Sequence, residues 1–202
     1  MDQKHLELLL ERVKRHPEPK AQFEQYSTPS TIAADVLYTA LGLGDIVDCK
    51  IVDLGCGTGI FSIGAKALGA KEVVGVDVDA TAVELARSNA KEIGVDVRYE
   101  NMSVLKFEEE CDTTIQNPPF GAQKKHADVP FVTKALAISP VVYSLHLSKT
   151  EEFITKEADL LGARITLTKE YRFPIPHTYP FHKKREKEFD VTLFRLEGRK
   201  YG

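Results

Sequence analysis

The chain has 202 residues, of which 43% are hydrophobic and 28% charged, and its formal net charge is −3. That length can bury a full core, so 1–202 is expected to form one domain, with 1–41 as an N-terminal helical extension. No long apolar run or signal-peptide pattern occurs, which predicts a soluble, cytoplasmic chain; the negative balance excludes a generally basic coat, so contact with nucleic acid needs a local patch.

Residues 2–15 read as an amphipathic helix with Leu6, Leu9, Leu10 and Val13 on one side, ended by Pro17 and Pro19. The stretch Phe23 to Pro29 is extended, and Ser30 or Thr31 can cap a helix running to about Leu41. Strand 50–54, helix 60–69, strand 72–77, helix 79–93 and strand 96–100 follow. After a short polar segment come strand 111–116, a helix near 128–138, strand 141–147 and helix 149–161. The last two strands are expected at 163–172 and 188–196. Alternating strands and helices predict an α/β fold with a mostly parallel sheet covered on both faces and ligands at the carboxyl ends of the strands. The final pair, joined by a loop, predicts a C-terminal antiparallel hairpin. Cys49, Cys56 and Cys111 show no C-x-x-C spacing and the histidines form no ligand motif with them, which predicts neither disulfide nor metal.

Three glycines alternate after the first strand, in Asp53-Leu54-Gly55-Cys56-Gly57-Thr58-Gly59, just before a helix. Without a Cβ the backbone turns sharply there and approaches a ligand closely. The second strand ends at Asp77, about 20 residues on, where an acid accepts hydrogen bonds from ribose hydroxyls. Together they predict a cradle for an adenosine-containing cofactor. A dinucleotide site would carry G-x-G-x-x-G, whereas the carboxylate of Asp53 would repel a phosphate and suits a cationic amino-acid moiety.

At the end of the fourth strand stands Asn117-Pro118-Pro119-Phe120. Two prolines stiffen a turn that offers hydrogen-bond acceptors beside an aromatic surface, the combination an exocyclic amine on a planar ring needs. The alternative is a rigid turn capped by a structural Asn.

Glycine loop and proline turn, in this order and spacing, resemble the Rossmann-like S-adenosylmethionine-dependent methyltransferases. The resemblance implies a seven-stranded mostly parallel sheet. It assigns Asn117, Pro118, Pro119 and Phe120 to the catalytic site, and Asp53, Gly55, Gly57, Thr58, Gly59, Ile60, Asp77, Val78 and Asn117 to the cofactor. Gln25, Tyr26 and Thr28 would lie over the methionine end. Asn101, where the family usually has an acid, and Met102 would meet the adenine. Asn117 Oδ1 and the Pro118 carbonyl would each accept one N–H of the amine, so that its lone pair aims at the methyl group with no general base.

Leu-rich N-terminal helix, Glu24-Gln25-Tyr26, Val142-Tyr143-Ser144-Leu145-His146 and Phe181-His182-Lys183-Lys184 extend the likeness over nearly the whole chain. They resemble the small archaeal and eukaryotic methyltransferase-like family that N6-methylates an adenosine of small-subunit ribosomal RNA. This implies unstacked RNA as substrate. Lys124, Lys125, His177, Phe181, His182, Lys183, Lys184 and Arg185 would contact it. Family members work with a small zinc-binding activator subunit that adds strands to a sheet edge, expected here at 95–100. The competing readings are methylation of guanine, cytosine or protein glutamine, and a non-catalytic RNA-binding module.

Overall fold

The computed structural model describes residues 1–16, 28–120, 128–175 and 187–198. In chain order the elements are α1 (Gln3–Leu10), α2 (Ser30–Gly42), β1 (Lys50–Leu54), α3 (Ile60–Ala67), β2 (Glu72–Asp77), α4 (Ala80–Ile93), β3 (Arg98–Asn101), β4 (Thr113–Gln116), α5 (Val129–Ile138), β5 (Val141–Leu147), α6 (Glu151–Leu160), β6 (Ala163–Ile175) and β7 (Lys187–Gly198). They form one seven-stranded sheet in the order β3-β2-β1-β4-β5-β7-β6. Strands β1 to β5 run parallel, and β7 is antiparallel to both β5 and β6. This is the Rossmann-like methyltransferase architecture expected above, with its C-terminal hairpin.

Apolar side chains cover both faces of the sheet. Leu6, Leu10, Leu37, Phe61, Ile63 and Val83, from α1 to α4, pack with Ile51, Val73, Ile115 and Leu145 on one face. On the other, Val132 and Ile138 of α5 and Ile154 and Ala158 of α6 pack against Val52, Val74, Val142 and Phe194. Burying each such aliphatic or aromatic side chain contributes about 1.5–3 kcal/mol before the entropy of ordering is subtracted. On the first face α2 packs closely on α3 because α3 carries Gly64, where a Cβ would collide with Leu37.

Boundaries differ from the sequence reading where a distant residue intervenes. Helix α1 ends at Leu10 rather than near 15, because the backbone N–H and C=O of Lys14 bond instead to the Asn89 side chain, each at 3.1 Å. Strand β4 starts at Thr113 because Asp112 meets Lys50 partly through its carboxylate. The hairpin strands run longer than expected and carry a bulge between Ile165 and Leu167. Helix α4 matches its caps: Asp79 accepts from Thr81 N, and Gly94 ends the helix at φ 85°. Among the described residues no helix is long and apolar enough to cross a membrane.

The parallel core brings the carboxyl ends of β1, β2, β3 and β4 to one side of the sheet. Strand β1 lies between β2 and β4, where the strand order reverses, so the open crevice sits above its end.

Candidate active site

The backbone past β1 turns through Gly55, Gly57 and Gly59 at φ 74°, 52° and 87°, a region costly for other residues. Gly55 N and Cys56 N both donate to Val76 O, at 2.8 and 3.1 Å, which sews the loop to β2. The glycines differ in purpose. A Cβ on Gly57 would meet nothing within 4 Å, so this residue faces open space; one on Gly59 would collide with Tyr99 Oη. Gly59 therefore makes room for a buried tyrosine as well as for the turn. Thr58 presents its carbonyl to Asn89 Nδ2 at 3.0 Å, and Ile60 opens α3.

Two carboxylates stand beneath the loop. Half-buried Asp77 accepts from Gly57 N at 2.8 Å and Asp79 N at 2.9 Å; burial raises its pKa above the ordinary carboxylate value, with these hydrogen bonds opposing. Asp53 is 1% exposed. Its Oδ2 accepts from Ser62 N at 3.0 Å and Ser62 Oγ at 2.7 Å, anchoring the first turn of α3. Burial pushes the Asp53 acid up to about 7, the Ser62 hydrogen bonds opposing that rise.

At the ends of β2 and β3, Asn101 Nδ2 donates to the carbonyls of Asp77 and Val78 at 3.1 Å each, and Met102 N donates to Asp77 O at 3.0 Å. The acceptor Asn101 offers a ligand is thus its Oδ1. The exposed side chain of Val78, next to Asp77, gives this end of the crevice apolar surface.

Past β4, the Asn117 amide is oriented from behind: Nδ2 donates to Thr28 Oγ1 at 3.1 Å, while Oδ1 is buried without a hydrogen-bond partner. Pro118 is buried and Pro119 half-buried. Phe120 stands edge-on to Phe173, centroids 6.0 Å apart at 88°, so its ring is braced by β6.

Residues 31–138 match the family model for the methyltransferase small domain. The rRNA N(6)-adenosine-methyltransferase METTL5 of Danio rerio is 36% identical over 97% of this chain and 99% of its own length. The chain belongs to the methyltransferase small domain and METTL5 families. The uncharacterized protein MJ0284 of Methanocaldococcus jannaschii is 43% identical over 96% of this chain and 93% of that one. The crystal structure of PH1948 from Pyrococcus horikoshii superposes with a TM-score of 0.91 at 39% identity, over 98% of both chains.

In this METTL5 family member the described residues bring Thr28, Asn117 and Phe120 to the end of β4, and Asp53, the three glycines, Asp77, Val78, Asn101 and Met102 to the ends of β1 to β3. Gln25, Tyr26, Lys124, Lys125, His177, Phe181, His182, Lys183, Lys184 and Arg185 lie outside the described residues. Several site neighbours escaped the sequence reading. Phe131 of α5 lies against the glycine loop, 3.1 Å from where a Gly55 Cβ would be. Asn89 ties Lys14 to Thr58. Gln116, Ser144, His146 and Asp128 form a buried polar chain behind the proline turn. The one signal for that chain was Ser144 and His146, two polar residues spaced by two in an otherwise apolar strand.

Proposed function

We propose that the chain transfers a methyl group from S-adenosylmethionine to N6 of an adenosine in small-subunit ribosomal RNA. The observation that carries this reading is the Asn117 amide, with its nitrogen committed to Thr28 and its oxygen buried and unpaired. A buried acceptor without a partner costs about 1–3 kcal/mol, and an incoming N–H donor removes that cost.

The cradle fits the cofactor. Asp77 is held at the end of β2 with lone pairs left for ribose hydroxyls, Gly57 opens onto space, and Val78 supplies an apolar edge. S-adenosylmethionine, when bound, supplies the sulfonium methyl group. Asn101 Oδ1 and Met102 would hold the adenine, and Gln25, Tyr26 and Thr28 the methionine end. Asn117 Oδ1 and the Pro118 carbonyl each accept a hydrogen bond from one N–H of the amine, which directs the nitrogen lone pair and stabilises positive charge developing there; the product amine then loses its extra proton to solvent. Phe120, braced by Phe173, gives the base its plane.

Residues 1–202 act in this reading as one methyltransferase domain, with α1 and α2 completing the apolar layer over α3. The RNA would approach over Lys124, Lys125 and the run from His177 to Arg185. A small zinc-binding activator would add strands beside β3, which among the described residues pairs only with β2. The deciding experiment is mass spectrometry of nucleosides after incubation with S-adenosylmethionine and small-subunit or large-subunit ribosomal RNA, with and without such a partner. N6-methyladenosine confined to small-subunit RNA is expected. Methylation confined to large-subunit RNA, or to guanine or cytosine, would overturn the reading.

A further inference from the structure

Strand β4 ends at Gln116, just before the proline turn, helix α5 begins after its N-cap Asp128, and a buried chain of hydrogen bonds joins these two residues. Gln116 Nε2 donates to Ser144 Oγ at 2.9 Å, Ser144 Oγ meets His146 Nε2 at 2.6 Å, and His146 Nδ1 meets Asp128 Oδ2 at 2.9 Å. Asp128, the most exposed of the four residues, is only 8% exposed. Gln116 and Ser144 are register partners in β4 and β5, and His146 lies two residues on, facing the same side.

Donor and acceptor roles can be assigned along the chain. With Asp128 as carboxylate and the imidazole neutral, His146 Nδ1–H donates to Asp128 and Nε2 accepts from the Ser144 hydroxyl. Ser144 Oγ in turn accepts from the Gln116 amide. Each link fixes the next, and the His146 ring is further held edge-on to Phe194, centroids 5.8 Å apart. Asp128 occupies the N-cap position of α5 yet makes no side-chain capping bond there. A capping bond is worth about 1 kcal/mol. The carboxylate is bonded instead to His146 of β5.

The effect falls on the residue that holds the amine. Gln116 is pinned by Ser144 on the α5 face of the sheet, and the next residue, Asn117, is pinned by Thr28 on the opposite face. The chain and Thr28 therefore hold the start of the turn from both sides, and the chain ties the N-cap of α5 to β5. An apolar pair of equal volume would hold the two strands together about as well, but it would not tie Asp128 to them.

We propose that Asp128, His146 and Ser144 are positioning residues for methyl transfer, acting through Gln116 to keep Asn117 Oδ1 and the Pro118 carbonyl aimed at the amine. The proposal rests on the reading of Asn117 as the amine-holding residue. The experiment compares wild type with Ser144→Ala, Ser144→Thr and His146→Leu, measuring melting temperature, S-adenosylmethionine affinity by calorimetry, and kcat and KM on small-subunit ribosomal RNA. Ser144→Ala and His146→Leu should lower kcat roughly 10- to 100-fold, the scale of a small misplacement of reacting groups, with cofactor affinity and RNA KM unchanged. Ser144→Thr, which keeps the hydroxyl, should recover most of kcat. Wild-type kcat in folded Ser144→Ala would overturn the proposal, as would a parallel loss of stability, cofactor affinity and kcat in both disruptive variants without recovery by threonine. If wild type itself transfers no methyl group to RNA adenosine, the reading of Asn117 fails instead.

Discussion

Asn117 and Thr28, 89 positions apart in the chain, meet through one hydrogen bond of 3.1 Å that ties the Asn117 amide at its nitrogen and leaves its buried oxygen without a partner. Thr28 Oγ1 restrains the amide's rotation, so without it the amide turns more freely and presents its oxygen to an amine less often. Asn117→Ala should abolish turnover and leave S-adenosylmethionine affinity near wild type. Thr28→Val, which keeps the volume and removes the hydroxyl, should lower kcat by roughly tenfold, the cost of about 1.4 kcal/mol of misorientation. Single-turnover assays beside calorimetric titration check both. A large fall in cofactor affinity on Asn117→Ala would show that the residue serves the cofactor first.

Gly57 and Gly59 should respond differently to the same added methyl group. Both have positive φ, so alanine strains either backbone by about 1–2 kcal/mol. At Gly57 nothing in the protein meets the new Cβ, whereas at Gly59 it collides with Tyr99 Oη. Gly57→Ala should therefore lose cofactor affinity with modest destabilisation, and Gly59→Ala should lose stability above all. Tyr99→Phe should relieve part of the Gly59→Ala loss, since it removes the colliding oxygen. Thermal melts over the four members of that cycle test the coupling; purely additive effects would contradict it.

The order of strands and helices was legible because it is written locally. Apolar runs, the acids Asp53 and Asp77 and the glycines between them mark each strand end within a few residues. What was not legible depends on meetings across the fold. Helix α1 stops early because Lys14 finds Asn89, 75 positions away. The chain from Gln116 to Asp128 exists because β4 and β5 pair in one particular register, which only the folded sheet sets. Asp53 was legible as an acid at the head of the cradle. Its bonds to Ser62 were not, because helix α3 must form before Ser62 comes within reach.

The basic run at Lys183, Lys184 and Arg185 makes a prediction that needs no side-chain geometry. If these cations meet phosphates, replacing all three with alanine should weaken RNA binding and lower the salt slope of log K by about one for each phosphate left without its cation. Binding titrations at several salt concentrations check this. An unaltered slope would return the run to a solvated face.

Asp53 should make cofactor binding depend on pH. Its folded acid titrates at about 7, raised chiefly by burial, whereas the unfolded group titrates at about 3.9. Between those values the folded state binds more protons. The stability Asp53 contributes is therefore fully present below about pH 4 and is lost as pH rises through about 7. A cationic ligand favours the ionised form, so binding S-adenosylmethionine in the acid range must release a proton from Asp53. Affinity should rise with pH and level off above about 7. Calorimetry in buffers of different ionisation enthalpy, at about pH 6 and about pH 8, reads the proton release directly. Asp77 is raised in the same direction, so the assignment needs a control. Asp53→Asn should remove most of the released proton and flatten the affinity profile, and 5′-methylthioadenosine, which carries no charge, should show little pH dependence with either protein. A wild-type profile retained by Asp53→Asn would move the titration to Asp77 and leave Asp53 as the anchor of Ser62 alone.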